Sequence, residues 1–327
     1  MRVLILGGGG LGTVYAGYLG RTGVDVTLLV KPAHAVALEH SEVHITGLDE
    51  FTAAVEVTSD PGRLGAYDYL LVCVKGRDTE TALAPLLGVP VETVLSFQNG
   101  VKKDETLARL FDRERVLGAV SIVGGTLERP GHARHTLAMP TLIGELDGRE
   151  SSRGERLAVA LREAGLPAAC VPEILTREWD KLAGFLRTAL VSAITRLDLA
   201  SVLLDPDLVP LCVRIAKEAA TVAAAAGHPL RDMPDALLGD VDRPDAELIE
   251  LFRQTGERWR ATGPPTYPSL AQDIMSGRPS ELEDTAGDVL ARAVRHGVPV
   301  PSLATCVHLL RSIERPAVKA AATGLGD

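Results

Sequence analysis

A short apolar segment followed by a cluster of glycines opens the chain. Residues 2–6, RVLIL, have the continuous apolar pattern of a strand that is covered on both faces. GGGGLG follows directly at 7–12 and opens a helix-like segment. Gly7, Gly9 and Gly12 fit G-x-G-x-x-G, which allows a tight turn, a close approach to a pyrophosphate and close helix packing. This pattern predicts a βαβ unit that binds a dinucleotide. The residues predicted to contact it here are Gly7, Gly9, Gly10, Leu11 and Gly12.

The pattern of apolar residues differs between the two halves of the chain, whose 327 residues are enough for two domains. Strand-like and helix-like segments alternate in the first half, which predicts right-handed crossovers and a parallel sheet. Its strand-like segments are 2–6, 25–30, 69–74 and 93–97, with partly antiparallel strands expected in 115–148. The second half has helical periodicity, in 174–192, 206–226, 243–260, 281–296 and 301–314. We predict an α/β fold, with an N-terminal Rossmann-type dinucleotide-binding domain over 1–172 and an all-helical substrate and catalytic domain over 173–327.

The end of the second predicted strand indicates which dinucleotide binds. An NAD site usually carries Asp or Glu there, where the carboxylate holds the ribose 2′-hydroxyl. This strand instead ends in Val30-Lys31-Pro32, and Asp25 lies at its opposite end. Lys31 is positioned to meet a 2′-phosphate, so the sequence favours NADP(H). The alternative is that Lys31 is only a solvated charge at a strand end.

Composition argues against several classes of protein. The formal net charge of −9 is unfavourable for general nucleic-acid binding. The four cysteines have no C-x-x-C spacing and the histidines no acidic or cysteine partner at ligand spacing, so we expect no metal site. No apolar run approaches the roughly 20 residues needed to span a bilayer, and residues 2–6 already form a core strand rather than a signal peptide. We therefore expect a cytoplasmic protein with no membrane partner.

Further motifs follow the predicted strands and continue into the helical half. They are VK at 74–75, FQNGV at 97–101, W-x-K-L at 179–182, PSLAQDIMSGRPSELE at 268–283 and HGVPVPSLATCVHLL at 296–310. With GGGGLG, they resemble, in order and over nearly the whole chain, the ketopantoate reductase (2-dehydropantoate 2-reductase) family of pantothenate biosynthesis. FQNGV and the segment 268–283 disfavour a relative of 6-phosphogluconate or 3-hydroxyacid dehydrogenases. The resemblance implies an active site between a Rossmann and a helical domain, an NADPH-dependent reduction of a 2-oxo acid to a 2-hydroxy acid, and a homodimer as the suggested assembly.

The resemblance makes Lys181 the catalytic lysine, with Glu281 and Ser269 on the substrate side. A cation near the carbonyl oxygen stabilises the developing charge and then delivers a proton. The family's glutamate orients substrate or lysine, and its serine hydrogen-bonds the substrate carboxylate. Each residue also has a simpler interpretation: a solvated lysine, a first-turn helix acid at Glu281 and a helix cap at Ser269. Asp273 is a weaker candidate at this site.

Lys75 and Asn99 follow predicted strands at the edge where open α/β sheets bind ligands. The resemblance implies that Asn99 lies near the nicotinamide ribose and the reacting carbonyl, where it contacts both cofactor and substrate. It places Lys75 near the cofactor and the cleft. For Asn99, which precedes Gly100, the alternative is simple turn chemistry.

The chain departs from the family pattern beside Lys181. Ketopantoate reductases carry substrate-binding asparagines four and eight residues after the lysine, whereas this chain has Phe185 and Ala189. That spacing puts all three positions on one helix face. Arg187 and Arg196 are nearby candidates for a carboxylate ligand. Ketopantoate is therefore the leading substrate, with two alternatives: a bulkier, more apolar 2-oxo carbonyl compound, or a nucleotide-binding regulatory protein without turnover.

Overall fold

The chain folds into two compact units. A computed structural model describes residues 1–38, 42–230 and 241–315. Its contacts divide the chain into Met1–Leu175 and Thr176–Asp327. The predicted C-terminal domain includes the segment 316–327, which lies outside the described residues.

The first unit is built on two β-sheets. Its strands within the described residues are β1 (Arg2–Leu6), β2 (Asp25–Leu29), β3 (Glu42–Gly47), β4 (Phe51–Ala54), β5 (Glu56–Thr58), β6 (Tyr67–Val72), β7 (Val91–Ser96), β8 (Val116–Val120), β9 (Val123–Arg129), β10 (His132–Ala138), β11 (Thr141–Glu145) and β12 (Ala168–Cys170). Its helices are α1 (Gly10–Gly20), α2 (Pro32–Ala37), α3 (Thr79–Leu83), α4 (Lys102–Phe111) and α5 (Ser152–Glu163).

The main sheet has eight strands in the order β12-β11-β8-β7-β6-β1-β2-β5. The six strands from β8 to β5 run parallel, whereas β11 is antiparallel to β8 and parallel to β12. Each of the four predicted strand segments overlaps one of β1, β2, β6 and β7, so this part of the prediction is confirmed. Because β1, β6 and β7 are parallel neighbours, their carboxyl ends meet at one edge of the sheet.

Side chains alternate between the two faces of this sheet and form two cores. Val3 and Ile5 of β1 pack in the cluster that includes buried residues of α1 and α5. Leu4 and Leu6 point the other way, into the cluster that includes buried residues of α3 and α4. Helices therefore cover both faces of the sheet, as in a doubly wound α/β fold, and the predicted fold class is confirmed.

A second sheet of four strands, in the order β4-β3-β10-β9, is the main feature that the sequence does not predict. The prediction of partly antiparallel strands in 115–148 is right, since β8 to β11 lie there. However, β9 and β10 leave the main sheet and pair with each other, and β10 also pairs with β3. An alternating strand pattern shows which residues share a face but not which sheet the strand joins, because strand pairing is not local.

Within its described residues, the second half has helices as its only regular secondary structure, as predicted. Its helices are α6 (Ile174–Thr195), α7 (Leu199–Leu204), α8 (Val209–Ala225), α9 (Asp245–Thr262), α10 (Ser269–Met275), α11 (Ala286–His296) and α12 (Pro301–Glu314). Helix α8 contacts α7, α9, α11 and α12. Its fully buried Ala216, Ala219 and Ala223 keep those contacts close. Within the described residues no helix is long and apolar enough to cross a membrane.

Candidate functional site

The glycine-rich loop joins β1 to α1, and its conformation depends on Gly7. Gly7 has φ +113°, a value that favours glycine. Its N–H donates to the carbonyl of Leu29 at 2.9 Å, which ties the loop to the end of β2. A Cβ added at Gly7 would lie 3.0 Å from Val74 Cγ1. The loop therefore runs directly against the segment that follows β6.

Gly12 and Gly10 are required for close packing. A Cβ at Gly12 would lie 1.9 Å from the carbonyl oxygen of Gly7, and one at Gly10 would lie 2.2 Å from the carbonyl oxygen of Gly125 in β9. Helix α1 thus approaches its own preceding loop and the four-stranded sheet at backbone distance. Gly125 is a packing partner that sequence reasoning missed. The only local indication was the Gly124-Gly125 pair, which strand patterns do not explain.

Gly9 differs from its neighbours because nothing lies close to its missing side chain. It is exposed, it caps α1, and a Cβ there would meet no atom within 4 Å. The first turn of α1 carries no acidic residue, and its first N–H groups have no intrahelical partner. Leu11 is half-buried and packs its side chain against the core. Open space above N–H groups at a helix N-terminus fits the pyrophosphate of a dinucleotide.

Lys31 lies at the carboxyl end of β2 and is exposed. Asp25, at the amino end of the same strand, accepts a hydrogen bond from Arg2 Nε at 2.9 Å. The strand end beside the glycine-rich loop therefore carries a cation and no carboxylate. His34 also lies close to the glycine-rich loop, since a Cβ added at Gly8 would lie 3.9 Å from Nδ1 of His34. No local sequence pattern marks His34 as a candidate.

Lys75 and Asn99 occupy the same edge of the sheet, at the carboxyl ends of β6 and β7, and both are half-buried. The left-handed residue of the turn is Gly100, with φ +91°, while Asn99 does not have a positive φ. The structure therefore places both predicted residues at the sheet edge that also carries the glycine-rich loop. Gln98, which the sequence analysis did not select, lies between their segments and donates two hydrogen bonds to the Lys75 segment.

Lys181 lies in the least buried stripe of α6. Between Glu178 and Ala193, only Lys181, Gly184 and Phe185 are part-exposed, and every other position is buried. Lys181 and Phe185 are one turn apart and share a face. The ammonium group therefore belongs to the one stripe of this helix segment that is not buried.

The other polar and apolar candidates on α6 have different surroundings. Ala189 is fully buried. Arg187 is 6% exposed, its guanidinium carbon lies 4.0 Å from the ring centroid of Phe252, and burial lowers the pKa of Arg187 to about 10. Arg196 is exposed just beyond the end of α6, roughly 22 Å along the helix axis from Lys181 at 1.5 Å per residue. Arg196 is therefore not beside Lys181 on this helix, and Arg187 packs on another helix.

Ser269 and Glu281 do not fit their simpler interpretations. Ser269 is the first residue of α10, whose cap position is Pro268, so Ser269 is not the cap. Helix α11 begins at Ala286, so Glu281 is not in its first turn. The carbonyl of Glu281 accepts hydrogen bonds from the N–H and Oγ1 of Thr285, in the turn before that helix. Glu281 is only 7% exposed, which is uncommon for a glutamate.

Asp273 has a clear structural contact. It accepts a hydrogen bond from Arg278 Nε at 3.1 Å, and its backbone carbonyl accepts from the N–H of Arg278 at 2.9 Å. This pair closes the turn after α10. Across the described ranges, no group of three or more His, Cys, Asp or Glu side chains is placed to hold a metal ion.

The fold and the glycine-rich loop define a dinucleotide-binding protein of the doubly wound class. Family models then identify it more closely: ketopantoate reductase PanE/ApbA matches residues 3–148, and the C-terminal domain of the same family matches residues 173–314. The chain belongs to the ketopantoate reductase family and is an oxidoreductase, as the sequence predicts.

Individual relatives agree with this assignment. The chain is 29% identical to a 2-dehydropantoate 2-reductase of Archaeoglobus fulgidus over 313 residues, which is 96% of this chain and 98% of the relative. It is similar to the crystal structure of a PanE/ApbA family ketopantoate reductase from Ralstonia eutropha JMP134, with TM-score 0.81, 29% identity and coverage of 96% and 98%. The fold also matches D-mandelate dehydrogenase, solved with NADH and anilino(oxo)acetate, at TM-score 0.81 and 19% identity over 96% and 98%.

Proposed function

We propose that this protein reduces a 2-oxo acid to the corresponding 2-hydroxy acid with NADPH, and that 2-dehydropantoate is the leading substrate. The observation that carries the proposal is that the family match covers both halves of the chain. The glycine-rich loop lies in one half and Lys181 in the other. The overall reaction consumes one 2-oxo acid, one NADPH and one proton, and yields the 2-hydroxy acid and NADP⁺.

The predicted N-terminal domain, residues 1–172, supplies the cofactor site in this proposal. The exposed Gly9 and the first N–H groups of α1 hold the pyrophosphate. Lys31 meets the 2′-phosphate with a charge-assisted hydrogen bond, since no carboxylate occupies that strand end to select a free 2′-hydroxyl. Lys75 and Asn99 hold the nicotinamide side of the cofactor at the carboxyl ends of β6 and β7.

The helical unit supplies the proton and the substrate contacts. When bound, NADPH provides the hydride for the carbonyl carbon. The ammonium of Lys181 stabilises the negative charge that develops on the carbonyl oxygen and then donates its proton to that oxygen. Ser269 hydrogen-bonds the substrate carboxylate, Asn99 contacts the reacting carbonyl, and Glu281 orients the substrate or the lysine.

A second candidate substrate class is favoured by one feature of α6. Phe185 shares the part-exposed stripe with Lys181, and neither Phe185 nor Ala189 has a hydrogen-bond donor in its side chain. A site that lacks the family's two asparagine side chains offers no amide to hydrogen-bond the hydroxyl group of 2-dehydropantoate. An apolar substituent, in contrast, is stabilised by contact with the Phe185 ring. The second candidate is therefore a bulkier, more apolar 2-oxo acid.

The experiment follows NADPH and NADH oxidation by the purified full-length protein with 2-dehydropantoate and a series of 2-oxo acids of graded size and polarity. We expect turnover with NADPH and a kcat/KM that ranks the acids and so identifies the substrate class. Faster turnover of the apolar acids supports the second candidate. Binding of NADPH without turnover of any carbonyl compound overturns the proposed enzyme activity and supports the alternative, a nucleotide-binding regulatory protein.

A further inference from the structure

We infer that Gln98 is a positioning residue, which fixes the segments of Lys75 and Asn99 relative to each other so that both meet the cofactor. The inference rests on the proposed cofactor roles of Lys75 and Asn99. Gln98 immediately precedes Asn99 in the chain, at the carboxyl end of β7, and it is buried.

The side-chain amide of Gln98 spans the Lys75 segment from both ends. Its Nε2 donates to the carbonyl of Val74 at 2.7 Å and to Oγ1 of Thr79 at 2.7 Å. A carbonyl oxygen only accepts, so the atom that faces Val74 is the NH₂ group. Both N–H bonds of one amide are therefore used to hold the two sides of the turn that carries Lys75.

The turn itself is closed by hydrogen bonds to the carbonyl of Lys75. The N–H of Asp78 donates to that carbonyl at 2.9 Å, and Oγ1 of Thr79 lies at 3.5 Å as a second donor. Thr79 thus accepts from Gln98 and donates toward Lys75, so the three groups form one chain of hydrogen bonds. Such chains fix a backbone conformation more strongly than separate contacts.

Burial raises the cost of losing these hydrogen bonds. Gln98 and Thr79 are both buried, and a buried donor left without an acceptor is costly. The N–H of Gln98 also donates to Oγ of the fully buried Ser96 at 3.2 Å, which fixes the backbone from which the side chain extends. The adjoining loop at Gly7 packs on Val74.

The test is NADPH affinity of the full-length protein, measured by nicotinamide fluorescence, in a double-mutant cycle. We expect Gln98→Leu to weaken NADPH binding by roughly fivefold to tenfold, in line with two lost hydrogen bonds. In a Lys75→Ala, Asn99→Ala background the same substitution should change affinity by less than about twofold, because the groups that it positions are gone. A merely structural role produces the same loss in both backgrounds.

A matched control is Tyr67→Phe. It removes another buried hydrogen bond of β6, from Tyr67 to Thr27 Oγ1 at 3.0 Å, at the amino end of the strand. We expect it to lower Tm without changing NADPH affinity. If Gln98→Leu does not fold, Thr79→Val tests the same chain of hydrogen bonds, with an expected loss of about threefold.

The outcomes separate this inference from the proposed function. Equal losses in both backgrounds, or no loss with Gln98→Leu or Thr79→Val, overturn the positioning role while dinucleotide binding by the wild type stands. A wild-type protein that binds neither NADPH nor NADH overturns the proposed function and the positioning role with it. A loss of NADPH affinity that is confined to the background with Lys75 and Asn99 intact supports the positioning role of Gln98.

Discussion

The cofactor end of the first unit and the lysine helix of the second encode their proposed roles in different ways. At the cofactor end, Gly7, Gly9 and Gly12 act through backbone conformation and through the space that a missing Cβ leaves. On α6, Lys181 and Phe185 act through side chains in one part-exposed stripe. Backbone requirements leave a strong local sequence pattern, whereas side-chain roles on a helix leave only a spacing. That is why the catalytic role predicted for Lys181 rests mainly on the family resemblance.

Replacing Lys181 has the largest expected effect and tests the side-chain half of this comparison. We expect Lys181→Met to lower kcat by about 10²–10⁴, because the proton donor and the charge at the carbonyl oxygen are lost together. NADPH affinity should stay within about twofold. Steady-state turnover and a fluorescence titration measure the two quantities separately.

The control for Lys181 is Lys217→Met, which removes a lysine of α8 that pairs with Asp245. It should leave kcat within about twofold, since exposed ion pairs contribute little. Turnover by Lys181→Met within tenfold of wild type contradicts the proton-donor role.

Two alanine substitutions in the glycine-rich loop test the backbone half. Gly12→Ala places a Cβ 1.9 Å from the carbonyl oxygen of Gly7, and we expect a loss of about 1–3 kcal/mol in the free energy of unfolding, typical of overpacking.

Gly9→Ala meets no atom within 4 Å at φ −76°, which alanine adopts readily. It should leave Tm unchanged and weaken NADPH binding, because the methyl group occupies the space proposed for the pyrophosphate. Thermal unfolding and NADPH titration check both variants, and wild-type affinity in Gly9→Ala argues against that placement.

Restoring one family amide on α6 has a smaller expected effect, on selectivity rather than on rate. We expect Phe185→Asn, at the part-exposed position of the pair, to raise kcat/KM for 2-dehydropantoate, relative to an apolar 2-oxo acid, by roughly tenfold, as one added hydrogen bond to substrate allows. The ratio of the two kcat/KM values is the measurement. Val294→Asn, at a highly exposed position of α11, is the control and should leave that ratio unchanged. An unchanged ratio in Phe185→Asn means that this stripe does not select the substrate.

Local patterns predicted the fold class, the four strands of the nucleotide half and the glycine-rich loop, because each depends on neighbouring residues. Contacts between distant segments were not predictable in this way. Gly125 packs against Gly10, and Gln98 hydrogen-bonds Thr79, although each pair belongs to separate elements. No local sequence pattern predicts such contacts. The start of α11 was missed because the apolar periodicity extends back to residue 281, whereas Thr285 leaves helical geometry at φ −116° and ψ −93°. The roles of Lys181, Ser269 and Glu281 stay predictions, since the chemistry of a side chain depends on what it faces.

The smallest expected effect concerns Lys31, where the cofactor end relies on a side chain instead of its backbone. We expect Lys31→Ala to raise the KM for NADPH by about fivefold and to leave the KM for NADH unchanged, because only NADPH carries the 2′-phosphate. The difference should shrink at high salt, since Lys31 is exposed and its charge is screened. Arg129→Ala, an exposed cation at the end of β9, should affect both cofactors equally. An unchanged NADPH to NADH preference in Lys31→Ala means that cofactor choice, like pyrophosphate binding, depends on the backbone or on another side chain such as that of His34.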